Sequence, residues 1–401
     1  MNGRIFITGY GIITSIGRNG PENYESLVLQ KTGFGNLEFL DTVHKQDIPA
    51  CEIKLSDTEL CKLAGVTDGQ GFTRTLLLGL IAAREAISMS GLTAEEVGRT
   101  GLFSATTTGG IRELESNYYE LQDLDRHGNF ELYADTANPG DHAERMAEIF
   151  GIRKYIAAIS TACSSSANTI MLGARLIQSG ELDSAICGGT EALSKFTING
   201  FNSLMILDQE HCRPFDSTRK GLNLGEGAAY VVLESEDKVL RTGKKPIAEL
   251  KGFGNTNDAF HQTASSPTGA GAFLAMNMAL TRANLSASAI DYINAHGTAT
   301  ENNDLSEGLA VEKIFGDQVP PFSSTKPYTG HTLAAAGCIE AVYCLMALQY
   351  GVIFPNINFK QRMEELHITP ETELKKDVSL KNVLSNSFGF GGNVSSLVFS
   401  I

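Results

Sequence analysis

The sequence predicts an α/β protein, and three observations predict it. Strand-like apolar runs alternate with helix-like segments along the whole chain. Several of those runs stop at glycine- or hydroxyl-rich turns, as at Gly109-Gly110, Gly188-Gly189 and the Phe388–Gly392 stretch. A strand–turn–cysteine–helix segment in the first half is matched by a strand–turn–histidine segment in the second, with no low-complexity linker between them. Two related α/β halves fused into one body are expected, divided as residues 1–245 and 246–401. No sequence repeat marks a duplication.

In chain order, residues 3–17 read as a strand and glycine turn, and 21–30 as a helix. Residues 31–60 read as irregular. Apolar residues at helical spacing (Leu76, Leu77, Leu80, Ile81, Ala86, Ile87) predict a helix over 71–90, capped by Gly91. Residues 100–108 are strand-like and 111–150 polar, helical and looped. A strand reaching Ser160 leads through Thr161-Ala162-Cys163 into a helix ending at Gln178. Strands are expected at 184–187, 227–234 and from Ala248 into Gly252. A helix follows over 271–283, then a short strand over 290–295 that ends in His296-Gly297-Thr298. A helix over 304–315, a short strand over 321–324, a loop over 326–330 and a long apolar helix over 332–350 come next. Strands over 383–387 and 394–401 close the chain.

The 401 residues are 42% hydrophobic and 19% charged, which predicts a sizeable core. A net charge of −14 disfavours nonspecific nucleic-acid binding, which relies on basic residues. No apolar run reads as long enough to span a bilayer, and the N-terminus is too broken by Gly and Thr for a secretory signal. Seven irregularly spaced cysteines, without a C-x-x-C pair, point to neither a disulfide framework nor a zinc site, and so to a reducing, cytoplasmic setting.

Cys163 stands at a strand-to-helix turn, followed by three serines. A helix start lowers a thiol pKa through its dipole and free N–H groups. The ordinary alternative is a buried structural cysteine. Three segments of the second half supply partners: Asn294 to Thr300 around His296, Lys326 to His331, and Asn386 to Gly392 around Phe390. Ligands of α/β sheets gather beyond the carboxyl ends of strands, so all three segments and Cys163 are expected to face one site.

Together, Thr-Ala-Cys163-Ser-Ser-Ser, Asn-Ala-His296-Gly-Thr-Ala-Thr, Ser-Thr-Lys326 through Thr-Gly-His331, and Asn-Ser-Phe-Gly-Phe390-Gly-Gly resemble the β-ketoacyl-acyl-carrier-protein synthases, elongating (I/II) class. The resemblance runs over almost the whole chain and includes Arg213-Pro-Phe-Asp and Gly225-Glu-Gly227. It implies a thiolase-like, five-layered αβαβα fold. It implies acyl transfer to Cys163 and then decarboxylative condensation with a malonyl carrier thioester, extending the chain by two carbons. The N–H groups of Cys163 and Phe390 are the implied oxyanion hole, with Phe390 also a gate over the acyl pocket. His296 and His331 are the implied donors to the enolate. Lys326 is an implied fixed cation ordering the His331 loop, and Glu307 its ion-pair partner.

Further implied substrate contacts are Thr298 and Thr300 on the pantetheine arm, Thr263 (beside His261) on a second loop, and Phe201, Phe388 and Thr108 along the acyl path. Asn294, Glu340 and Asn386 fall where some relatives hold a structural monovalent cation. No tightly bound cofactor is implied, because substrates ride on the phosphopantetheine arm of acyl-carrier protein. A homodimer is expected, joined through the strand at 184–187, with a heterodimer as the alternative.

Two departures from the family pattern stand out. Thr108 occupies an often aliphatic position, and an unpaired hydroxyl there would favour short, unsaturated or functionalised chains over long saturated ones. The usual Lys/Arg cluster for carrier docking is reduced to Lys62 and Arg74, leaving Arg126, Arg213, Lys220 or a partner subunit to serve. A specialised polyene or polyketide-like pathway is therefore the alternative to fatty-acid synthesis. A non-catalytic chain-length-factor-like subunit would lack the cysteine; a thiolase would need a second active-site cysteine; a Cys-His hydrolase would not need two histidines and a lysine.

Overall fold

The computed structural model describes residues 3–122, 125 and 129–401. Its strands are β1 (Ile5–Thr14), β2 (Gly101–Ala105), β3 (Tyr155–Ile159), β4 (Ser184–Glu191), β5 (Gly227–Ser235), β6 (Ala248–Asn257), β7 (Tyr292–Asn294), β8 (Phe322–Ser323), β9 (Asn382–Phe388) and β10 (Asn393–Ser400). The helices that build the core and the site are α1 (Arg74–Ser90), α2 (Ser165–Gln178), α3 (Lys195–Ser203), α4 (Ala270–Ala283), α5 (Glu301–Phe315) and α6 (Ala336–Tyr350).

The strand order is β3-β2-β4-β5-β1-β6-β10-β9-β7-β8. Numbered within its own half, each set of five runs 3-2-4-5-1, mirrored about the β1/β6 junction. That junction is slight, pairing Phe6 with Glu249 and Ile7 with Ala248. The two related halves expected from sequence are thus visible as one topology used twice.

Strand periodicity explains the layering, because alternate side chains leave a strand on opposite faces. In β5, Ala229, Val231 and Leu233 join the central core with α2 and α6. Ala228, Tyr230 and Val232 join α1 on the opposite face. In the second half, Val383 faces the central core while Leu384 packs with α4 and α5. Outer helices, half-sheet, paired inner helices, half-sheet and outer helices make the five layers of the thiolase-like fold. The inner pair approaches closely: a Cβ on Gly337 of α6 would stand 2.9 Å from the backbone nitrogen of Ala167 in α2.

Several local expectations need correction. Residues 57–64 form a helix with a Ser56/Glu59 capping box, beginning inside the 31–60 stretch read as irregular. β4 continues through Gly188-Gly189 to Glu191. Lys326–Thr329 is a helical turn with Pro327 in its opening position, not a loop. Leu333–Tyr350 is long and apolar enough to cross a membrane (mean hydropathy 1.4), contrary to the sequence reading, but 89% of it is buried inside the body.

β4 cannot be the dimer strand. It is buried along its whole length and paired on both sides, with β2 and β5. Among the described residues the sheet edge in this half is β3, paired with β2 on one side only and exposing Tyr155 and Ile156.

The expected docking basics also change. Arg74 is fully buried, its guanidinium bonded to Glu226, Asp57 and the carbonyls of Ile53 and Leu55. It is a structural pin, unable to meet a partner. Arg213 is paired with Asp208 and Glu210. Arg126 lies outside the described residues. Lys62 and Lys220 are exposed, and Lys220 stands at the mouth of the site.

Candidate active site

Cys163 lies between β3 and α2, in a turn with strained backbone: Ala162 has φ +52°, a conformation that costs energy for any residue with a Cβ. The serine flank pins that turn. Ser165 Oγ accepts from Thr161 N–H (2.8 Å) and donates to the Ala162 carbonyl (2.5 Å). Ser164 Oγ has two acceptors for its one proton, the Thr161 carbonyl (2.8 Å) and Asn393 Oδ1 (2.7 Å). Ser166 Oγ accepts from the Cys338 N–H at the start of α6 (2.9 Å), tying the two inner helices together. Gly389 closes over the turn; a Cβ there would come within 2.5 Å of the Thr161 carbonyl.

The thiol is buried, and burial pushes its pKa up to about 12, while the Lys326 charge and the Phe390 N–H pull it back. The helix start therefore does not give a resting thiolate, as the sequence suggested; desolvation outweighs it. The rate of Cys163 alkylation by iodoacetamide should accordingly climb about tenfold per pH unit from about pH 7 to about pH 10. A plateau in that range would show a thiol with an ordinary pKa.

His296 follows β7. Its backbone N–H and that of Gly297 donate to the two oxygens of Glu307 (2.9 Å each), and Asn386 Nδ2 donates to the same carboxylate (3.0 Å). Glu307 thus splints the His296 turn and does not pair with Lys326. Burial pushes its pKa up to about 7 against these donors. The ion-pair partner of Lys326 is Glu340, from α6. Lys326 Nζ also donates to the His296 carbonyl (2.5 Å) and lies 3.3 Å from His296 Nδ1. An ammonium has only donors, so His296 Nδ1 must accept and its proton sits on Nε2. Lys326 is therefore tied to His296, and the His331 segment is fixed otherwise: His331 N–H donates to the Asn223 carbonyl (2.7 Å), and Gly225 N–H to the His331 carbonyl (3.0 Å).

The two imidazoles stand edge to face, 5.4 Å between centroids. Burial first, and then the Lys326 charge, holds both pKa values well below the usual histidine range, with His331 adding to the effect at His296. Both rings are neutral at neutral pH, and so are N–H donors.

One cavity of about 290 Å³ brings together Cys163, His296, His331, Phe388 and Phe390, and Phe201, Thr263, Thr298 and Thr300 also line it. Phe390 stacks on Phe201 from α3 at 5.8 Å and 17°. Thr298 and Thr300 bond each other through their hydroxyls (2.9 Å). Thr263 is exposed, its N–H on His261 Nδ1 (3.2 Å). Lys326 and Glu307 lie behind the histidines.

Thr108 does not line this cavity. Its hydroxyl donates to Glu191 Oε1 (2.9 Å) in a cluster where Thr106 and Thr107 bond the same buried carboxylate. The hydroxyl is satisfied and outside the cavity, so it gives no preference for short, unsaturated or functionalised chains. Of the cation candidates, Asn294 Oδ1 and Glu340 Oε2 are buried oxygens without a hydrogen-bond partner among the described residues, which suits a hard monovalent cation. The Asn386 side chain is used at both ends, by Glu307 and by Ser396.

Sequence reasoning missed Glu340 as the Lys326 partner, Glu191, and Asp304, whose carboxylate holds the N–H groups of Ala299 and Phe215. A signal existed for Glu340, the one acidic residue of the apolar 332–350 run.

A doubled α/β body with a buried thiol facing two neutral imidazoles across its halves defines an acyl-transferring enzyme of the thiolase-like fold. The chain belongs to the β-ketoacyl synthase family: the N-terminal domain of that family matches residues 2–238 and its C-terminal domain residues 247–360. It is 31% identical to 3-oxoacyl-[acyl-carrier-protein] synthase 2 of Vibrio harveyi, over 99% of this chain and 98% of that one. It is 33% identical to 3-oxoacyl-[acyl-carrier-protein] synthase 1 of Haemophilus influenzae, over the same shares. Among solved structures, the ishigamide ketosynthase/chain length factor superposes with a TM-score of 0.91 at 29% identity, covering 100% of this chain and 99% of that one.

Proposed function

We propose that the protein condenses an acyl chain with a malonyl group, both carried as thioesters on acyl-carrier protein. The observation that carries this reading is the Cys163 thiol sharing one cavity with two buried, neutral histidines. Cys163 sulfur attacks the acyl thioester; its proton leaves with the carrier thiol, and an acyl-enzyme remains. The N–H groups of Cys163 and Phe390 hold the oxyanion. Malonyl thioester then loses CO₂, and its electrons form an enolate whose oxygen accepts from His296 and His331. The enolate carbon attacks the acyl-cysteine, expelling the Cys163 thiolate, which takes up a proton. Thr298, Thr300 and Thr263 line the path of the pantetheine arm, and Phe201 with Phe390 gates the acyl side.

His296→Ala and His331→Ala should each slow malonyl decarboxylation about 10²-fold or more, with far less effect on acylation of Cys163. Because both histidines titrate below their usual range, decarboxylation by the native protein should stay level as pH falls through about 6.5. Release of CO₂ from carboxyl-labelled malonyl carrier checks both; acylation and decarboxylation falling together would overturn the split.

The halves divide near residue 245, which the repeated strand order supports. Two copies pair along the β3 edge, supported by its open side and exposed Tyr155 and Ile156. The setting is cytoplasmic, supported by seven free cysteines. Asn294 and Glu340 would hold a monovalent cation that screens the buried carboxylate. Fatty-acid elongation is the pathway favoured by the two synthase relatives, and a specialised ketosynthase the second reading, favoured by the ishigamide structure.

A further inference from the structure

The residue after the glycine pair of the Phe390 loop receives an unusual set of bonds. Asn393 Oδ1 accepts from Asn168 Nδ2 (2.8 Å) and Asn255 Nδ2 (2.9 Å), and it shares with the Thr161 carbonyl the one proton of Ser164 Oγ, 2.7 Å away. Ser164 is the neighbour of Cys163, Asn168 belongs to α2, and Asn255 belongs to β6. Three segments therefore converge on one side-chain oxygen, more donors than its two lone pairs ordinarily serve. Asn168 Nδ2 also donates to Thr161 Oγ1 (2.8 Å), so the whole nucleophile turn is drawn in.

The backbone of Asn393 closes the other side of the arrangement. Its carbonyl accepts from Gly389 N–H (2.7 Å), while Gly391 and Gly392 take φ of +77° and +82°. The loop 389–393 is thus a closed ring of backbone, fastened at its end by one amide and permissive in between. Phe390, whose N–H reaches the Cys163 thiol, lies within that ring.

We propose that Asn393 is a positioning residue for acyl transfer: it locks the Phe390 N–H to the nucleophile turn while the glycines leave the Phe390 ring free to move. The proposal rests on the acyl-enzyme reading above. It requires an acceptor at position 393 and has no use for the amide donors of that side chain. Asp keeps the acceptor, and Ala removes it.

The test is acylation of Cys163 by a single acyl-carrier thioester, followed by intact mass and rate. Asn393→Ala should lower kcat for acylation about 10- to 100-fold with KM changed less than about threefold, since misplacing an oxyanion donor costs transition-state stabilisation and not binding. Asn393→Asp should stay within about threefold of the native rate. Equal loss in both variants, or no loss in Asn393→Ala, overturns the proposal. If Asn393→Ala does not fold, Ser164→Ala decides: it removes one of the three donors and should slow acylation about threefold or more, and an unchanged rate overturns the proposal. Absence of any acyl-enzyme in the native protein would instead overturn the proposed function, so the two failures are distinct.

Discussion

Cys163→Ala is expected to abolish the acyl-enzyme and to lower condensation about 10⁴-fold or more, while leaving malonyl decarboxylation measurable. The two effects separate because the groups come from different halves. The thiol is carried by the turn before α2, whereas His296, Lys326 and His331 follow β7 and β8. Removing one sulfur does not disturb the Glu307 splint on the His296 turn or the Asn223 anchor on His331. Intact mass after exposure to acyl carrier, beside labelled CO₂ release, reads both. An acyl adduct on the alanine variant, or condensation at the native rate, would remove Cys163 from the reaction.

Lys326→Ala should be the most damaging single change to fold and chemistry together. The side chains of Lys326 and Glu340 are 3% and 2% exposed. Without the ammonium, Glu340 keeps a buried carboxylate whose pKa burial already raises and Lys326 alone draws back. Breaking a buried pair from one side costs about 3–5 kcal/mol. His296 would also lose the contact that keeps its proton on Nε2, so decarboxylation should fall about 10²-fold or more. The double variant Lys326→Met with Glu340→Leu separates the two effects, because an apolar pair of similar volume replaces a buried ion pair at little cost. Denaturant melts should recover in the double variant while CO₂ release stays low. Recovery of activity in the double variant would show that Lys326 acts only through the fold.

The order of elements was legible from periodicity and glycine punctuation, and the four motifs were enough to place Cys163, His296, His331 and Phe390 in one cavity. Four readings failed for reasons local spacing cannot reveal. Glu307 and Glu340 are both acids on helices behind the histidines, and only the packing of α6 against the site decides which meets Lys326. Thr108 looked like an unpaired hydroxyl because its acceptor, Glu191, is 83 residues away in sequence. Arg74 read as a surface base, although its partner Glu226 lies 152 residues on. β4 and β3 are both short apolar strands, and which one is the edge follows from the crossover order alone. At Cys163 the helix start does favour the thiolate, but desolvation of the buried sulfur is larger, and burial depth is not visible in the local sequence.

The repeated strand order has a counterpart at the thiol itself. Ahead of α2, Ala162 takes φ +52° and Cys163 follows; ahead of α6, Leu333 takes φ +48° and Ala334 follows. The same left-handed elbow precedes both inner helices, yet one presents a sulfur and the other a methyl group, with the Ala334 N–H directed to Glu191. At the second elbow the bend serves a contact and not a reagent, because Glu191 is the buried carboxylate that also gathers Thr106, Thr107 and Thr108. One backbone shape thus serves two ends at the centre of the body: ahead of α2 it presents a sulfur to the cavity, and ahead of α6 it turns an N–H onto a buried acid.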